Sequence, residues 1–223
     1  MTDSENSSNN TNNSVQDKLL NAAEILFCEK GFEGTSIRDI ASSAGCNIAS
    51  VNYYFGGKQQ LYEQVWKRHL IPMRNSRLES IEKILLLNDN KPELEELIKS
   101  FAESFIGKVV DPEKENRFNK LMAREYINKH LPANMFLEEI MMPTVTAMQN
   151  ALIQAFPEID KQKVLFIVFS LIGQLVHVVH VRAMFENDID NLAQKLFNFD
   201  EIVNHIVEFT CAGIRFYMKE KKV

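Results

Sequence analysis

Apolar residues recur at helical spacing from Val15 through Leu19, Ala22, Ala23, Leu26 and Phe27, and the pattern stops at Gly31. Gly34-Thr35-Ser36 then supplies a turn and an N-cap, and Asp39 stands where a capping box needs its acid. The short helix that follows sets Ile37, Ile40 and Ala41 on one face. "SAGC" interrupts it at Gly45. Asn47 caps a second short helix, anchored by Ile48 and Val51, which ends at Gly56-Gly57. Lys58 opens a long helix through Leu61, Val65, Trp66 and Leu70, and Pro72 is expected to kink it or to mark a bend. Two short helices across a tight glycine turn give residues 36–55 the form of a helix-turn-helix.

Helical periodicity continues over about 75–88, 93–109, 113–130, 133–156, 160–186 and 198–219. Breakers fall between these segments at Asn88-Asp89-Asn90, Asp111-Pro112, Pro132, Pro157 and Glu186 to Asp190. No strand alternation is sustained, so the predicted fold is all-α. A polar tail, 1–13, is expected to be disordered because it has no apolar area to bury. A three-helix helix-turn-helix domain is expected over 14–74, and a larger C-terminal helical domain over 75–223.

Charge sharpens this division. The 223-residue chain carries a net charge of −5, which argues against a surface coated in basic groups. Between Ser14 and Arg74, however, seven basic residues face six acidic ones, and the window from Ile40 to Tyr62 contains no carboxylate side chain. Cys28, Cys46 and Cys211 are widely spaced without a CxxC pair, so they are expected to be small buried apolar residues in a reducing cytosol. The Asn/Ser/Thr-rich N-terminus does not form a secretion signal. The run from Val164 to Val181 approaches membrane-spanning length, but Ser170, Gln174, His177 and His180 interrupt it. It is expected to be a helix buried in protein, with no membrane partner.

The carboxylate-free window holds the residue types that read DNA. Asn47, Ser50, Asn52, Tyr53 and Tyr54 fall within about two helical turns. Asn52 has the amide for a bidentate contact to an adenine edge, tyrosine hydroxyls reach phosphates, and Lys58 stands at a helix N-terminus that favours them. Thr35, Ser36 and Arg38 open the preceding helix and are expected to clamp the flanking backbone. A polar, aromatic helix–helix turn without a partner is the alternative reading of the same residues.

The remaining chemistry is sparser. Phe101, Phe105, Met122, Glu125, Tyr126, His177 and His180 are candidates to line a ligand cavity, with Arg124 beside them; an internal ion pair and core or interface histidines are the alternative. Spacing supports only two metal ligands, His177 and His180, so no metal site is assigned. No phosphate-binding glycine loop, GxSxG or HExxH occurs, and neither an enzyme nor a cofactor is expected. The segments 160–186 and 198–219, the latter with Ile202, Ile206, Phe209, Ile214 and Phe216, are apolar enough to form a four-helix dimer interface or simply a core.

"GFEGTSIRDIASSAGCNIASVNYYFGGKQQLYEQVW" resembles the DNA-binding region of TetR-type transcriptional repressors. The matching positions are Gly31-Phe32, Thr35-Ser36, Ile40-Ala41, Ala44-Gly45, Tyr53, Phe55, Lys58 and Leu61. The resemblance implies that the helix at Asn47–Tyr54 enters the major groove. Asn47, Ile48, Ala49, Ser50 and Asn52 would then face bases, and Thr35, Tyr53, Tyr54 and Lys58 phosphates. Tyr54 stands where the family often has His, and Cys46 where Val is usual. "LMAREY", "FSLIGQLVHVVH" and "NIASVNYYFGGK" are similar to the CecR-type subgroup, which implies control of transport or drug-sensitivity genes. The expectation is a cytoplasmic homodimeric repressor that binds a palindromic operator of double-stranded DNA and is released by a small-molecule inducer. An all-α small-molecule-binding or interaction protein without DNA binding is the alternative.

Overall fold

The computed structural model describes residues 3–106, 112–185 and 198–220. These form helices α1 (Asp3–Lys30), α2 (Ile37–Ser43), α3 (Ile48–Phe55), α4 (Lys58–Leu87), α5 (Leu94–Ile106), α6 (Pro112–Asn128), α7 (Ala133–Phe136), a π-helix (Leu137–Met141), α8 (Met142–Ala155), α9 (Lys161–Phe185) and α10 (Phe199–Glu220). There is no strand among the described residues. The expected breaks at Asp111 and at Glu186 to Asp190 lie outside them.

Three helices differ from expectation for local reasons. The backbone of α1 is helical from Asp3, through the tail expected to be disordered; extending an existing helix adds one hydrogen bond per residue without a new nucleus. Helix α4 runs unbroken through Pro72, where a separate helix was expected from residue 75. Proline removes only the bond to the carbonyl one turn earlier, and long flanking turns tolerate that loss. The segment expected as one helix over 133–156 passes through the π-helix just before Pro143. Pro143 has no N–H for the Glu139 carbonyl, and the guanidinium of Arg74 donates to that oxygen instead at 3.2 Å.

The chain divides into two compact units, residues 1–70 with 109–133 and residues 71–108 with 134–223. The first takes in α6 as well as α1–α3, so it extends beyond the expected 14–74. Its core joins Leu19, Phe27, Ile40, Val51, Leu61, Trp66 and Leu121. Phe27 meets Tyr62 edge to face at 4.9 Å, and Trp66 meets Phe118 of α6 at 5.9 Å. Arg124 of α6 donates to the last carbonyls of α1, at Cys28 (3.1 Å) and Glu29 (2.8 Å). Gly31, with φ +74°, leaves room for this arm: a Cβ there would sit 3.2 Å from Arg124 Nη1.

The second unit packs α5, α8, α9 and α10 around Leu97, Phe101, Met148, Leu152, Val168, Leu171, Leu175, Val207 and Ile214. Helix α9 is not the fully buried helix its composition suggests. Val164, Ile167, Val168, Leu171, Leu175 and Val178 face inward, whereas Leu165, Phe166, Phe169 and Val176 lie on the surface. By length and composition this helix could cross a membrane, but only 33% of that stretch is buried in the chain. Of the cysteines, Cys28 and Cys211 are buried and Cys46 is half-buried.

A buried carboxylate ties α1, α4 and α6 together. Glu24 receives Arg117 Nε at 2.8 Å, with His69 Nε2 at 3.4 Å and Arg68 at 3.6 Å. Burial works to raise the Glu24 pKa, but His69 and Arg117 outweigh it and hold the group at about 2, below its ordinary 4.5. The carboxyl of the unfolded chain ionises near 4.5, so the stabilisation is complete above that pH and disappears as pH falls toward 2. Glu24→Gln is expected to cost roughly 3 kcal/mol at neutral pH. Urea unfolding followed by Trp66, the only tryptophan, should show this cost shrinking in acid; a cost independent of pH would contradict it.

Candidate nucleic-acid interface

The turn between α2 and α3 is built by backbone bonds and caps. Ser36 Oγ accepts from the Asp39 N–H at 3.1 Å, and the Asp39 carboxylate accepts from the Ser36 N–H (3.2 Å) and hydroxyl (2.7 Å). Both Ser36 hydrogen bonds hold the Asp39 carboxyl below its ordinary pKa, so it stays ionised. The Cys46 N–H returns to the Ala41 carbonyl at 2.9 Å and closes the turn. Asn47 Oδ1 then caps α3 by accepting from the Ala49 N–H at 2.9 Å. At the other end Gly56 takes a left-handed φ of 80° and donates to the Asn52 carbonyl, a geometry that strains any residue with a Cβ.

Helix α3 is thus fixed at both ends and buries only Val51. Asn47, Ile48, Ala49, Asn52 and Tyr53 are exposed; Ser50 and Tyr54 are half-buried. Tyr53 is 79% exposed, and its ring meets Tyr54 edge to face at 4.9 Å. Capping uses the Asn47 acceptor and leaves its amide N–H groups outward. Ile48, 44% exposed, offers an apolar surface of the kind that meets a thymine methyl. Arg38 is exposed on α2. Lys58 holds its ammonium 4.2 Å from the Phe32 ring centroid at the start of α4, which positions the charge without using its N–H donors.

Two expected phosphate contacts are corrected. The Thr35 hydroxyl is buried and directed at the Gly31 (2.8 Å) and Leu26 (3.1 Å) carbonyls, and its N–H bonds to Phe32. It ties the end of α1 to the start of α2 and has no donor for a phosphate. Ser36 likewise commits its hydroxyl proton and N–H to Asp39. The outward group is therefore Arg38, Asn47, Ile48, Ala49, Ser50, Asn52, Tyr53, Tyr54 and Lys58.

Residues 19–65 match bacterial regulatory proteins of the tetR family, and residues 94–214 match the C-terminal domain of the HTH-type transcriptional dual regulator CecR. The second match alone spans more than half of the chain. This chain belongs to the TetR family, in its CecR-like branch. The TetR-family chain is 50% identical over 52 residues to the probable HTH-type transcriptional regulator YttP of Bacillus subtilis, covering 23% of this chain and 25% of YttP. It is 36% identical over 77 residues to IcaR of Staphylococcus aureus, a negative regulator of the biofilm operon icaADBC, covering 34% of this chain and 37% of IcaR. The matches thus span well under half of either relative. The solved structure of NalD from Pseudomonas aeruginosa shares the fold, with TM-score 0.63 over 91% of this chain and 98% of NalD at 20% identity. NalD is the secondary repressor of the MexAB-OprM multidrug efflux pump. The family is one of bacterial transcriptional regulators.

The expected ligand residues are divided between the two units. Glu125 accepts from the Tyr62 hydroxyl (3.0 Å) and the Leu131 N–H (2.6 Å) within the first unit, which makes it a structural brace. Met122 belongs to the same unit and is half-buried; the Tyr126 side chain lies outside the described residues. Phe101 and Phe105 belong to the core of the second unit, whereas His177 and His180 are exposed on α9. Glu24 and Arg117 were missed because nothing local links residues 93 positions apart. A charged residue at position 24, among apolar neighbours of α1, was the available signal. Thr35→Val is expected to destabilise the protein by about 1–2 kcal/mol through the lost buried hydrogen bond, while its affinity for a bound DNA fragment stays within about twofold of wild type. Thermal unfolding and a mobility-shift titration would check both; a large affinity loss in stably folded protein would return Thr35 to the DNA contacts.

Proposed function

We propose that this regulator is a ligand-responsive repressor that binds a palindromic operator as a homodimer through α3. The observation that carries the reading is a capped helix that buries only Val51 and exposes Ile48, Ala49, Asn52 and Tyr53, in a window without a carboxylate. Asn47, Ser50 and Asn52 supply base-edge donors and acceptors, Ile48 and Ala49 apolar contact, and Arg38, Tyr53, Tyr54 and Lys58 backbone contacts. The regulator acts in the cytoplasm, where its DNA is. The CecR-like C-terminal match extends the proposal to target genes in transport or drug sensitivity.

The dimer reading is supported by the outer faces of α9 and α10. Phe166, Phe169 and Val176 follow helical spacing along α9, with Gly173 between them, and Phe209, Gly213 and Phe216 do the same on α10. Ile206 and Ile214, also expected at the interface, face the core. Two such faces from each protomer would form a four-helix interface and cover apolar surface that a single chain leaves in water. An effector bound in the second unit would shift the operator equilibrium only by its preference for one arrangement of the protein over the other.

A mobility-shift titration with DNA flanking the gene should give a salt-sensitive, sequence-specific complex. Asn52→Ala should lose about 1–3 kcal/mol and relax preference at one base pair, whereas Lys58→Ala should weaken binding to all sequences alike. No specific complex with any neighbouring promoter would sink the repressor reading and favour the interaction-protein alternative. Phe166→Asp combined with Phe209→Asp should yield monomers in sedimentation velocity runs, with loss of operator binding; a persistent dimer would move the interface elsewhere.

A further inference from the structure

Among the described residues two charged side chains are buried, Glu24 and Arg77. Glu24 is surrounded by cations. Arg77, on the part of α4 that belongs to the second unit, retains 8% of its exposure and meets no carboxylate among the described residues. Its Nε is buried without an acceptor. Its guanidinium carbon lies 3.6 Å from the centroid of the Phe105 ring, and Phe105 meets Phe101 edge to face at 5.1 Å. Ile81, one turn further on, is in the same apolar core. Three residues before it, Arg74 already has the Glu139 carboxylate at 3.4 Å. Burial pushes the Arg77 pKa down to about 10, so the group is still charged at neutral pH.

A buried charge without a counter-ion is among the costliest groups a protein can carry. Here the ring covers one face of the guanidinium, and at its edge the buried Nε–H finds no acceptor among the described residues. That edge is complementary to a carboxylate, which it can grip through two parallel hydrogen bonds. A single cation calls for a single negative charge. The aromatic and aliphatic neighbours call for an apolar body on the same ligand.

We propose that Arg77 is the anion-recognising group of an effector site in the second unit, and that the effector is a small organic carboxylate with an apolar or aromatic body. The inference rests on the reading that this unit takes an effector, and it narrows the chemical class. Phe105 holds the guanidinium plane, and Phe101 buttresses that ring. The carboxylate supplies the acceptors the folded chain lacks.

The test is calorimetric titration of the full-length protein without DNA, using 4-phenylbutyrate and octanoate against 4-phenylbutanol and octanol. At least one carboxylate should bind saturably, about tenfold or more tighter than its alcohol. Arg77→Met should lose that binding by a similar factor, and Arg77→Lys should keep part of it. Arg77→Met should fold, since it removes an uncompensated buried charge, and its helicity by circular dichroism checks this; the acid-to-alcohol comparison needs no variant. Equal binding of acids and alcohols, binding unchanged in folded Arg77→Met, or no saturable binding of either acid would overturn the proposal. A wild type that shifts DNA but binds no carboxylate would leave the regulator reading standing, whereas one that binds carboxylates but no DNA would do the reverse.

Discussion

A carboxylate taken out of water stays ionised only where cations replace its lost hydration. In the first unit that carboxylate is Glu24, and its shortest contact, Arg117, comes from a helix 93 residues away. Arg124, from the same helix, satisfies carbonyls that the end of α1 leaves open. These contacts make α6 part of the unit that carries α2 and α3. The first unit is therefore discontinuous in sequence, and the chain passes between the two units at 70/71, 108/109 and 133/134. Residues 109–133 complete one unit while both of their ends continue into the other, so the first unit is not a self-sufficient N-terminal fragment.

Within that unit the polar residues near the turn divide into two kinds. Thr35, Ser36 and the acceptor of Asn47 spend their hydrogen-bonding capacity on the fold. The amide of Asn52, the ring of Tyr53 and the ammonium of Lys58 stay available. Recognition depends on this division, because a side chain already satisfied by its own backbone gains little from a base or a phosphate. Helix α3 buries one residue, so its geometry rests on its two caps and the closed turn rather than on core packing.

The second unit shows what happens where local satisfaction fails. Pro143 leaves the Glu139 carbonyl without its helical donor, and Arg74 supplies one. Arg77, one turn along the same helix, has an aromatic ring but no anion among the described residues. Arg77 is buried and Arg74 half-buried, and only Arg74 meets a carboxylate among the described residues. The outward phenylalanines of α9 and α10 are a larger case of the same imbalance, in apolar area rather than charge.

The sequence alone determined what acts over four residues or fewer. The capping box at Ser36 and Asp39, the cap at Asn47, the left-handed glycine at Gly56 and the helical periods all appear where local spacing puts them, because each joins neighbours along the chain. The family resemblance extended this to the face that α3 presents. Tertiary structure decided the rest. It buried the Thr35 hydroxyl, made Glu125 a brace for Tyr62, carried α4 through Pro72, placed α6 with the first unit, and turned His177 and His180 outward. The Glu125 brace and the place of α6 depend on which helix faces meet across 63 and 96 positions of sequence. Amphipathic helices of similar composition can pair in several ways, and only the packed chain, by satisfying Glu24 and leaving Arg77 unmet, selects among them.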